Sequence, residues 1–240
     1  MPTPRATLTP EYQRDWPAYF DSVQGQPPRD TLVRALDAFE RDDATAPKPV
    51  WRVAVDIGCG EGRDVREMMR RAGSTRWKVM AADLSGEGLE RLHRTLREAP
   101  GTEYLLTATP MEELPTRYPN GVRVGGTERL HRHVDLANAS FALPFCREDA
   151  FPALWAWIVN LLKPGGRFAG QLFGNRDEWA SVNPRRHHTR EQALALLDGF
   201  EVEHFDEVEK EGSDAMGGSK RHHVFHIVAR KLGGSPGTTG

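Results

Sequence analysis

Three alternating glycines form the segment of this sequence best suited to hold a ligand. Gly58, Gly60 and Gly62 follow an apolar stretch, and Asp83 stands 21 residues after Gly62. Glycines in this pattern let the chain turn sharply and lie directly against a ligand, because no Cβ intervenes. A carboxylate about 20 residues further on is placed to accept hydrogen bonds from ribose hydroxyls. The spacing therefore predicts a site for a nucleotide or nucleoside.

Two residues beside these glycines indicate which kind of nucleoside would bind. A dinucleotide fingerprint requires glycine at the sixth position from Gly58, and that position is Arg63. Asp56 precedes the first glycine, where its negative charge would repel a pyrophosphate and would attract an ammonium or sulfonium group. The sequence therefore favours a nucleoside that carries positive charge over NAD or a flavin dinucleotide.

The elements that must position these residues alternate between strand-like and helix-like patterns, which is typical of a βαβ series with a parallel sheet. Strands are predicted at residues 51–56, 79–82, 104–107, 134–137 and 167–172, and helices at 29–41, 64–72, 86–99, 149–162 and 189–199. Two last strands, 200–208 and 222–230, are close enough in sequence for an antiparallel hairpin. The poorly patterned stretch 115–132 is predicted to be an extended loop. Thr189 and Gln192 have the spacing of a capping box.

Length and composition bound the remaining possibilities. The 240 residues suit one α/β domain, predicted at 29–232, with an N-terminal lid or strap at 1–28 and a disordered tail at 233–240. A formal net charge of −2 gives no basic surface for nucleic acid. No apolar run approaches the roughly 18 residues that span a membrane. Two cysteines cannot build a disulfide framework, so a cytoplasmic protein is expected.

Three segments together resemble the class I S-adenosylmethionine-dependent methyltransferases. They are the motif at 56–62, the carboxylate Asp83 and the Lys-Pro-Gly-Gly turn at 163–166. The resemblance implies an α/β fold with a doubly wound, seven-stranded, mostly parallel Rossmann-like sheet, a C-terminal antiparallel hairpin, and S-adenosyl-L-methionine as cofactor. Within this family, segments 138–146 and 170–174 are similar to the tellurite-resistance and thiopurine-methyltransferase-like branch. Members of that branch methylate small and often soft nucleophiles, namely sulfur, selenium or tellurium.

The resemblance also implies which residues hold the cofactor. Asp83 would bind the ribose diol, Leu84 would pack on the adenine with Met111 and Glu112 beside it, and Asn138 and Ser140 would line the methyl-transfer pocket. For Met111, ordinary core packing is an equal possibility. Arg29 could pair with the cofactor carboxylate, cap a helix or form a surface ion pair. The complete predicted cofactor set is Asp56, Gly58, Cys59, Gly60, Asp83, Leu84, Met111, Glu112, Asn138, Ser140 and Arg29.

The acceptor side is expected to be apolar. Trp16 and Tyr19 could close over a sulfonium, since aromatic faces attract cations, or could form a hydrophobic strap. The remaining predicted substrate contacts are Phe141, Phe145, Phe173, Arg176 and His187. No catalytic base is identified, and the nine histidines form no recognisable metal set. A selenite, tellurite or thiolate acceptor needs no base, because methyl transfer is a direct displacement.

Three functions therefore stay open. The first is methylation of a small molecule at a soft atom. The second is O- or N-methylation of a natural product or a peptide, in which case the insertion at 117–132 would shape a larger cavity. The third is a cofactor-binding scaffold without catalysis, because one fold can carry unrelated functions. The oligomeric state is also left open.

Overall fold

The computed structural model describes residues 16–71, 75–98, 103–125, 133–180, 186–213 and 217–233. The strands are β1 (Trp51–Ile57), β2 (Arg76–Asp83), β3 (Glu103–Ala108), β4 (Val134–Ala139), β5 (Leu162–Gly174), β6 (His187–His188), β7 (Phe200–Ser213) and β8 (Ser219–Lys231). The helices are α1 (Trp16–Val23), α2 (Asp30–Thr45), α3 (Arg63–Arg70), α4 (Gly86–Arg97), α5 (Leu114–Arg117), α6 (Phe151–Leu161) and α7 (Arg190–Ala195).

These strands form one sheet in the order β3-β2-β1-β4-β5-β8-β7, and the two-residue β6 pairs with the end of β5. Strands β1 to β5 run parallel, whereas β8 is antiparallel to both β5 and β7. The predicted doubly wound sheet and its C-terminal hairpin are thereby confirmed. The strand order reverses between β1 and β4, and ligands of open α/β sheets bind at such a switch point. Pairing at that point sets Asp56 opposite Asn138.

Two apolar layers cover the sheet. On one face, α2, α3 and α4 pack against alternate residues of the central strands, including Ala54 and Leu136. On the other face, α5, α6 and α7 pack against the intervening residues, including Val55 and Ala137. Side chains alternate between faces along a strand, so each central strand contributes to both layers. The two buried faces explain the nearly continuous apolar runs in the sequence.

Two helices, α4 and α7, begin directly after a residue whose side chain caps the helix. The Ser85 side chain accepts a hydrogen bond from Gly88 N, so Ser85 caps α4. The predicted capping box at α7 is confirmed, because Thr189 Oγ1 accepts from Gln192 N while Gln192 Oε1 accepts from Thr189 N. No helix in the described parts of the chain is long and apolar enough to cross a membrane.

Several bounds differ from the sequence-based expectation, and two differences affect the region around the sheet most. Strand β5 begins at Leu162 rather than at residue 167, because the register with β4 shifts between Val134 and Leu136 and the Pro-Gly-Gly segment forms an irregularity within the strand. The expected loop at 115–132 begins inside the short helix α5, and Val122 and Val124 are fully buried against the core. The rest of that stretch, 126–132, lies outside the described residues, as do residues 1–15 and 234–240 of the predicted N-terminal lid and C-terminal tail.

Candidate functional site

The glycine loop crosses the carboxyl ends of β1 and β2. Gly58 N and Cys59 N both donate to Ala82 O, at 2.8 and 3.1 Å, which holds the loop against β2. Gly62 has φ +81°, and a Cβ there would lie 2.3 Å from Leu92 Cδ1. A Cβ at Gly58, where φ is +69°, would lie 2.5 Å from Ala142 Cβ. Both glycines are therefore required by backbone conformation and by packing.

Asp83 ends β2 beside this loop. Its Oδ2 accepts from Gly60 N at 2.8 Å and its Oδ1 from Ser85 N at 2.7 Å. Burial raises the pKa of Asp83, although the backbone hydrogen bonds act in the opposite direction. Leu84, the next residue, leaves half of its side chain exposed (50%). The structure thus places a carboxylate and an exposed apolar side chain next to each other at the end of β2.

Asn138 and Asp56 form a buried pair at the ends of β4 and β1. Asn138 Nδ2 donates to Asp56 Oδ1 at 2.8 Å and to Asp64 Oδ2 at 3.0 Å. Asn138 is fully buried, so it supports the pocket from beneath rather than lining it. Asp56 Oδ2 is buried and has no hydrogen-bond partner among the described residues. Burial, and then the charge of Asp64, raises the pKa of Asp56 well above its ordinary value.

Asp64 is a site residue that the sequence motif did not indicate. It lies in the first turn of α3, is 5% exposed, and accepts hydrogen bonds from Arg29 N at 3.0 Å and from Ser140 Oγ at 2.5 Å. Its signal in the sequence is an acidic residue two positions after the third glycine, where a helix N-terminus favours negative charge. Its partners are 35 and 76 residues away, which a local pattern does not show.

Two guanidinium groups lie beside these carboxylates. The Arg29 side chain stacks on the Phe141 ring, 4.6 Å from the centroid, and its Nε is buried without a hydrogen-bond partner in the described part of the chain. Burial, and then the charge of Arg63, lowers the pKa of Arg29. Arg63 forms no ion pair with any described residue and was absent from the predicted site. Two neighbouring cations of this kind suit a carboxylate ligand.

Helix α1 forms one wall of the resulting cleft. Tyr19, Phe20 and Val23 face a second wall that includes Asp56, the loop 58–61, Arg63, Asp64 and Ser140. Phe20 is buried (2% exposed), and its ring lies against the Cα hydrogens of Gly60 and Gly88. Tyr19, predicted as a substrate contact, lines this cleft. Of Trp16, only the backbone within α1 belongs to the described structure.

The predicted apolar wall forms a contiguous group of rings beyond Ser140. The Phe173 ring centroid lies 6.4 Å from those of Phe141 and Phe145, 5.8 Å from that of His187 and 5.9 Å from that of Trp179. Phe141 has φ +54°, the one positive φ of a non-glycine residue among the described positions. Such strain persists only where surrounding structure imposes it and concentrates at functional sites. Trp179 was not predicted, because nothing local distinguishes it from a surface residue.

Met111, Glu112, Arg176 and His187 are among the predicted residues that do not line the cleft of Asp56 and Ser140. Met111 packs against the core, and Glu112 Oε1 accepts from Arg147 N at 3.1 Å. The Arg176 guanidinium is held by Glu207 and Glu209 of β7, at 2.9 and 2.8 Å. His187 contacts the Phe173 ring and pairs with Phe173 as part of β6. The core contact of Met111, the backbone hydrogen bond to Glu112 and the ion pairs of Arg176 explain the orientation of these three side chains.

Cys59 lines the cleft as part of the glycine loop. Burial, and then the charge of Asp83, raises the pKa of the Cys59 thiol well above its ordinary value, so the thiol stays protonated. The structure therefore gives Cys59 the properties of a small packing residue rather than of a nucleophile. Among the described residues, no group of three or more His, Cys, Asp and Glu side chains could hold a metal ion.

Comparison with known proteins agrees with this geometry. A model of the methyltransferase domain matches residues 54–166, which include the glycine loop, Asp83 and Ser140. No curated protein matches the chain in sequence. The structure is similar to TehB from Haemophilus influenzae, with a TM-score of 0.61 and 13% identity over 83% of this chain. That alignment spans 62% of TehB, less than two thirds of its length.

Two N-methyltransferases are similar over more of their length. The 1,6-didemethyltoxoflavin-N1-methyltransferase of Burkholderia thailandensis, solved with 1,6-didemethyltoxoflavin and S-adenosylhomocysteine, has a TM-score of 0.58 and 19% identity, covering 90% of this chain and 85% of its own. NodS from Bradyrhizobium japonicum, solved with S-adenosyl-L-homocysteine, has a TM-score of 0.57 and 13% identity, covering 92% and 94%. Residues 54–166 therefore match a methyltransferase domain, and the similarity to these solved structures shows that the chain shares their fold.

Proposed function

We propose that this protein transfers the methyl group of S-adenosylmethionine to a small molecule, at a soft sulfur, selenium or tellurium atom. One observation carries the proposal. Asp83 and the glycine loop would form a nucleoside site, Ser140 lines the cleft beside that loop, and Phe141, the residue after Ser140, packs against Phe173. The cofactor supplies an activated methyl group on a sulfonium, so the protein must bind, align and exclude water.

The charged groups of the cleft fit the parts of this cofactor. Asp83 would hold the ribose diol, and Leu84 would cover the adenine. The unpartnered Oδ2 of Asp56 would accept from the α-ammonium, and Arg29 with Arg63 would bind the carboxylate. The assignments of Asp56, Arg29 and Arg63 join opposite charges, and those of Asp56 and Arg29 also relieve the desolvation cost of buried atoms without a partner.

The ring wall supports a soft acceptor. Sulfur makes favourable contacts with aromatic rings, worth about 0.3–1.5 kcal/mol each. Phe141, Phe145 and Phe173 present such rings beside Ser140 and would keep water from the displacement. A thiolate, selenite or tellurite is already nucleophilic, so these residues need only position it.

A specific observation favours a second candidate, methylation of an oxygen or nitrogen atom in a natural product or peptide. Ser140 Oγ donates to Asp64 Oδ2 at 2.5 Å, and both residues line the cleft. A hydroxyl and a carboxylate joined in this way could take the proton that an O–H or N–H acceptor must lose. The similarity to two N-methyltransferases supports the same alternative.

The N-terminal segment 1–28 is proposed to act as a lid over the cofactor. Helix α1 contributes Tyr19 and Phe20 to the cleft, and Asp21 pairs with Arg91 of α4 at 2.7 Å. This ion pair joins α1 to the helix that follows Asp83. A cytoplasmic location is part of the proposal, because both Cys59 and Cys146 are free thiols, as is usual in a reducing compartment.

Calorimetric titration with S-adenosylmethionine, S-adenosylhomocysteine and NAD tests the cofactor assignment. Micromolar binding of the two sulfur nucleosides without binding of NAD is expected, and a preference for NAD would contradict the proposal. Methyl transfer is then measured with radiolabelled cofactor and a panel of selenite, tellurite, aromatic thiols, catechols and aromatic amines. Turnover restricted to the first three supports the soft acceptor, and turnover restricted to the last two supports the alternative.

A further inference from the structure

Asp64 joins three segments that surround the cleft. Its Oδ1 accepts from Arg29 N, directly before α2, and its Oδ2 accepts from Asn138 Nδ2 and Ser140 Oγ at the end of β4. Asp64 itself belongs to α3. A buried carboxylate that accepts three hydrogen bonds from two other segments has a fixed position. It therefore also fixes the groups that donate to it, and Ser140 is the one that lines the cleft beside it.

The hydrogen bond from Ser140 determines what its hydroxyl offers to a ligand. A serine hydroxyl has one hydrogen and two lone pairs. The hydrogen is directed to Asp64 Oδ2 at 2.5 Å, and Asn138 Nδ2 lies 3.4 Å from Ser140 Oγ. Only lone-pair density of Ser140 remains for a ligand, and the charge of Asp64 lies directly behind it. The cleft surface at Ser140 is thus electron-rich and attracts positively charged groups.

The position of Ser140 identifies which positive group it would meet. Asp83 marks the ribose end of the cleft, and Phe141, the next residue after Ser140, begins the ring wall of the acceptor side. Between the ribose and an acceptor lie the sulfur of the cofactor and its methyl group. The α-ammonium has a separate partner available in the orphaned Oδ2 of Asp56.

We propose that Asp64 is a positioning residue that orients the Ser140 hydroxyl toward the transferred methyl group, and that the two residues together select positive charge at that point of the cofactor. The inference rests on the proposed function. It means that the site distinguishes S-adenosylmethionine, whose sulfur is charged, from the neutral product S-adenosylhomocysteine. Loss of this attraction after transfer would favour release of the product.

The test compares three ligands that differ at one position. S-adenosylmethionine carries S⁺–CH₃, sinefungin carries a protonated amine on carbon there, and S-adenosylhomocysteine carries a neutral sulfur. Dissociation constants are measured by calorimetry for the wild type, Asp64→Asn and Ser140→Ala. Each variant is expected to lower the affinity for both cationic ligands relative to S-adenosylhomocysteine by about tenfold, which corresponds to about 1.4 kcal/mol. The affinity for S-adenosylhomocysteine itself should stay within about threefold.

A matched control is available at the other end of β4. Asp135 is also 5% exposed and accepts from a backbone amide, Val53 N at 2.8 Å, but does not line the cleft. Asp135→Asn should leave the ratio of affinities unchanged even if it lowers the melting temperature. In the double variant of Asp64 and Ser140, the change in the ratio should be smaller than the product of the two single changes, because the two residues are coupled by their hydrogen bond.

Equal losses of affinity for all three ligands would overturn the inference. They would mean that Asp64 binds the α-ammonium, which every ligand shares, or that it only stabilises the fold. An unchanged ratio in Ser140→Ala would overturn it as well, and this variant removes only an oxygen and so gives a result even if Asp64→Asn does not fold. Failure of the wild type to bind any of the three would instead refute the proposed function. The two failures are therefore distinguishable.

Discussion

Asp83 provides the most direct test of the nucleoside site. The perturbation is Asp83→Asn, which keeps the shape of the side chain, removes its charge and leaves one acceptor oxygen. In the structure both carboxylate oxygens already accept backbone hydrogen bonds, from Gly60 N and Ser85 N. The asparagine can satisfy only one of these amides, so the free protein should lose about 1–3 kcal/mol, the usual cost of an unsatisfied buried group.

Asp83→Asn should also lower the affinity for the cofactor, in addition to its effect on stability. A hydrogen bond to a charged acceptor is worth about 1.5–3 kcal/mol net, and the ribose diol offers two donors. Because Asp83 shares its lone pairs with Gly60 and Ser85, we expect the lower end for the pair, about 2–4 kcal/mol. This loss corresponds to a reduction in affinity of about 30-fold to 1,000-fold.

The assay is calorimetric titration with S-adenosylhomocysteine and with its 2′-deoxy analogue. The wild type should bind the analogue more weakly, whereas Asp83→Asn should discriminate little between the two. Asp43→Asn serves as the control, since Asp43 is a paired carboxylate on Arg52 outside the cleft. Binding by Asp83→Asn within about twofold of wild type, with discrimination retained, would refute the ribose assignment.

Three further predictions concern stability. Gly62→Ala should lower the free energy of unfolding in urea by about 1–3 kcal/mol more than Gly199→Ala does. Both glycines have φ +81°, but only the Cβ at residue 62 would meet another side chain, Leu92. Equal losses of stability would contradict the packing argument. Burial lowers the pKa of His188 to about 4 from 6.5, so the wild type should lose stability as pH falls from 6.5 towards 4, and His188→Phe should remove this dependence in urea titrations at each pH. The pKa of Asp56 is raised, so its contribution to stability is present below its ordinary pKa of 3.8 and is lost as pH rises through the raised value. Asp56→Asn should abolish that loss. An unchanged dependence of stability on pH in this variant would refute the prediction.

Local patterns were sufficient to predict most of the fold. The apolar run of β1 is buried on both faces, which a continuous apolar segment before a glycine motif indicates. The capping box at Thr189 is a signal contained in four residues. Strand β5 was predicted too short, because its extension across the Pro-Gly-Gly segment depends on a register shift relative to β4. The sequence of one strand does not determine how it pairs with another.

The site was predictable where one motif carries it and not where several segments meet. The glycine loop and Asp83 lie within 26 residues of one another, and the spacing identified them. Asp64 was missed because its role depends on Ser140 and Asn138, which are 76 and 74 residues away and reach it only through the β1–β4 pairing. For Met111 the sequence left cofactor contact and core packing open, and the structure shows it packed on the core.

The distribution of charge in the cleft bears on how an acceptor would be chosen. Two carboxylates, Asp56 and Asp64, and two guanidiniums, Arg29 and Arg63, lie at the cofactor end, where a zwitterionic amino-acid group and a sulfonium would neutralise them. Lys220, behind the ring wall, is 2% exposed and paired with a buried aspartate at 2.6 Å, so its charge is already compensated. Among the described residues of the ring wall, Lys220 therefore adds no uncompensated charge. Shape and polarisability, which aromatic rings recognise, would then select the acceptor.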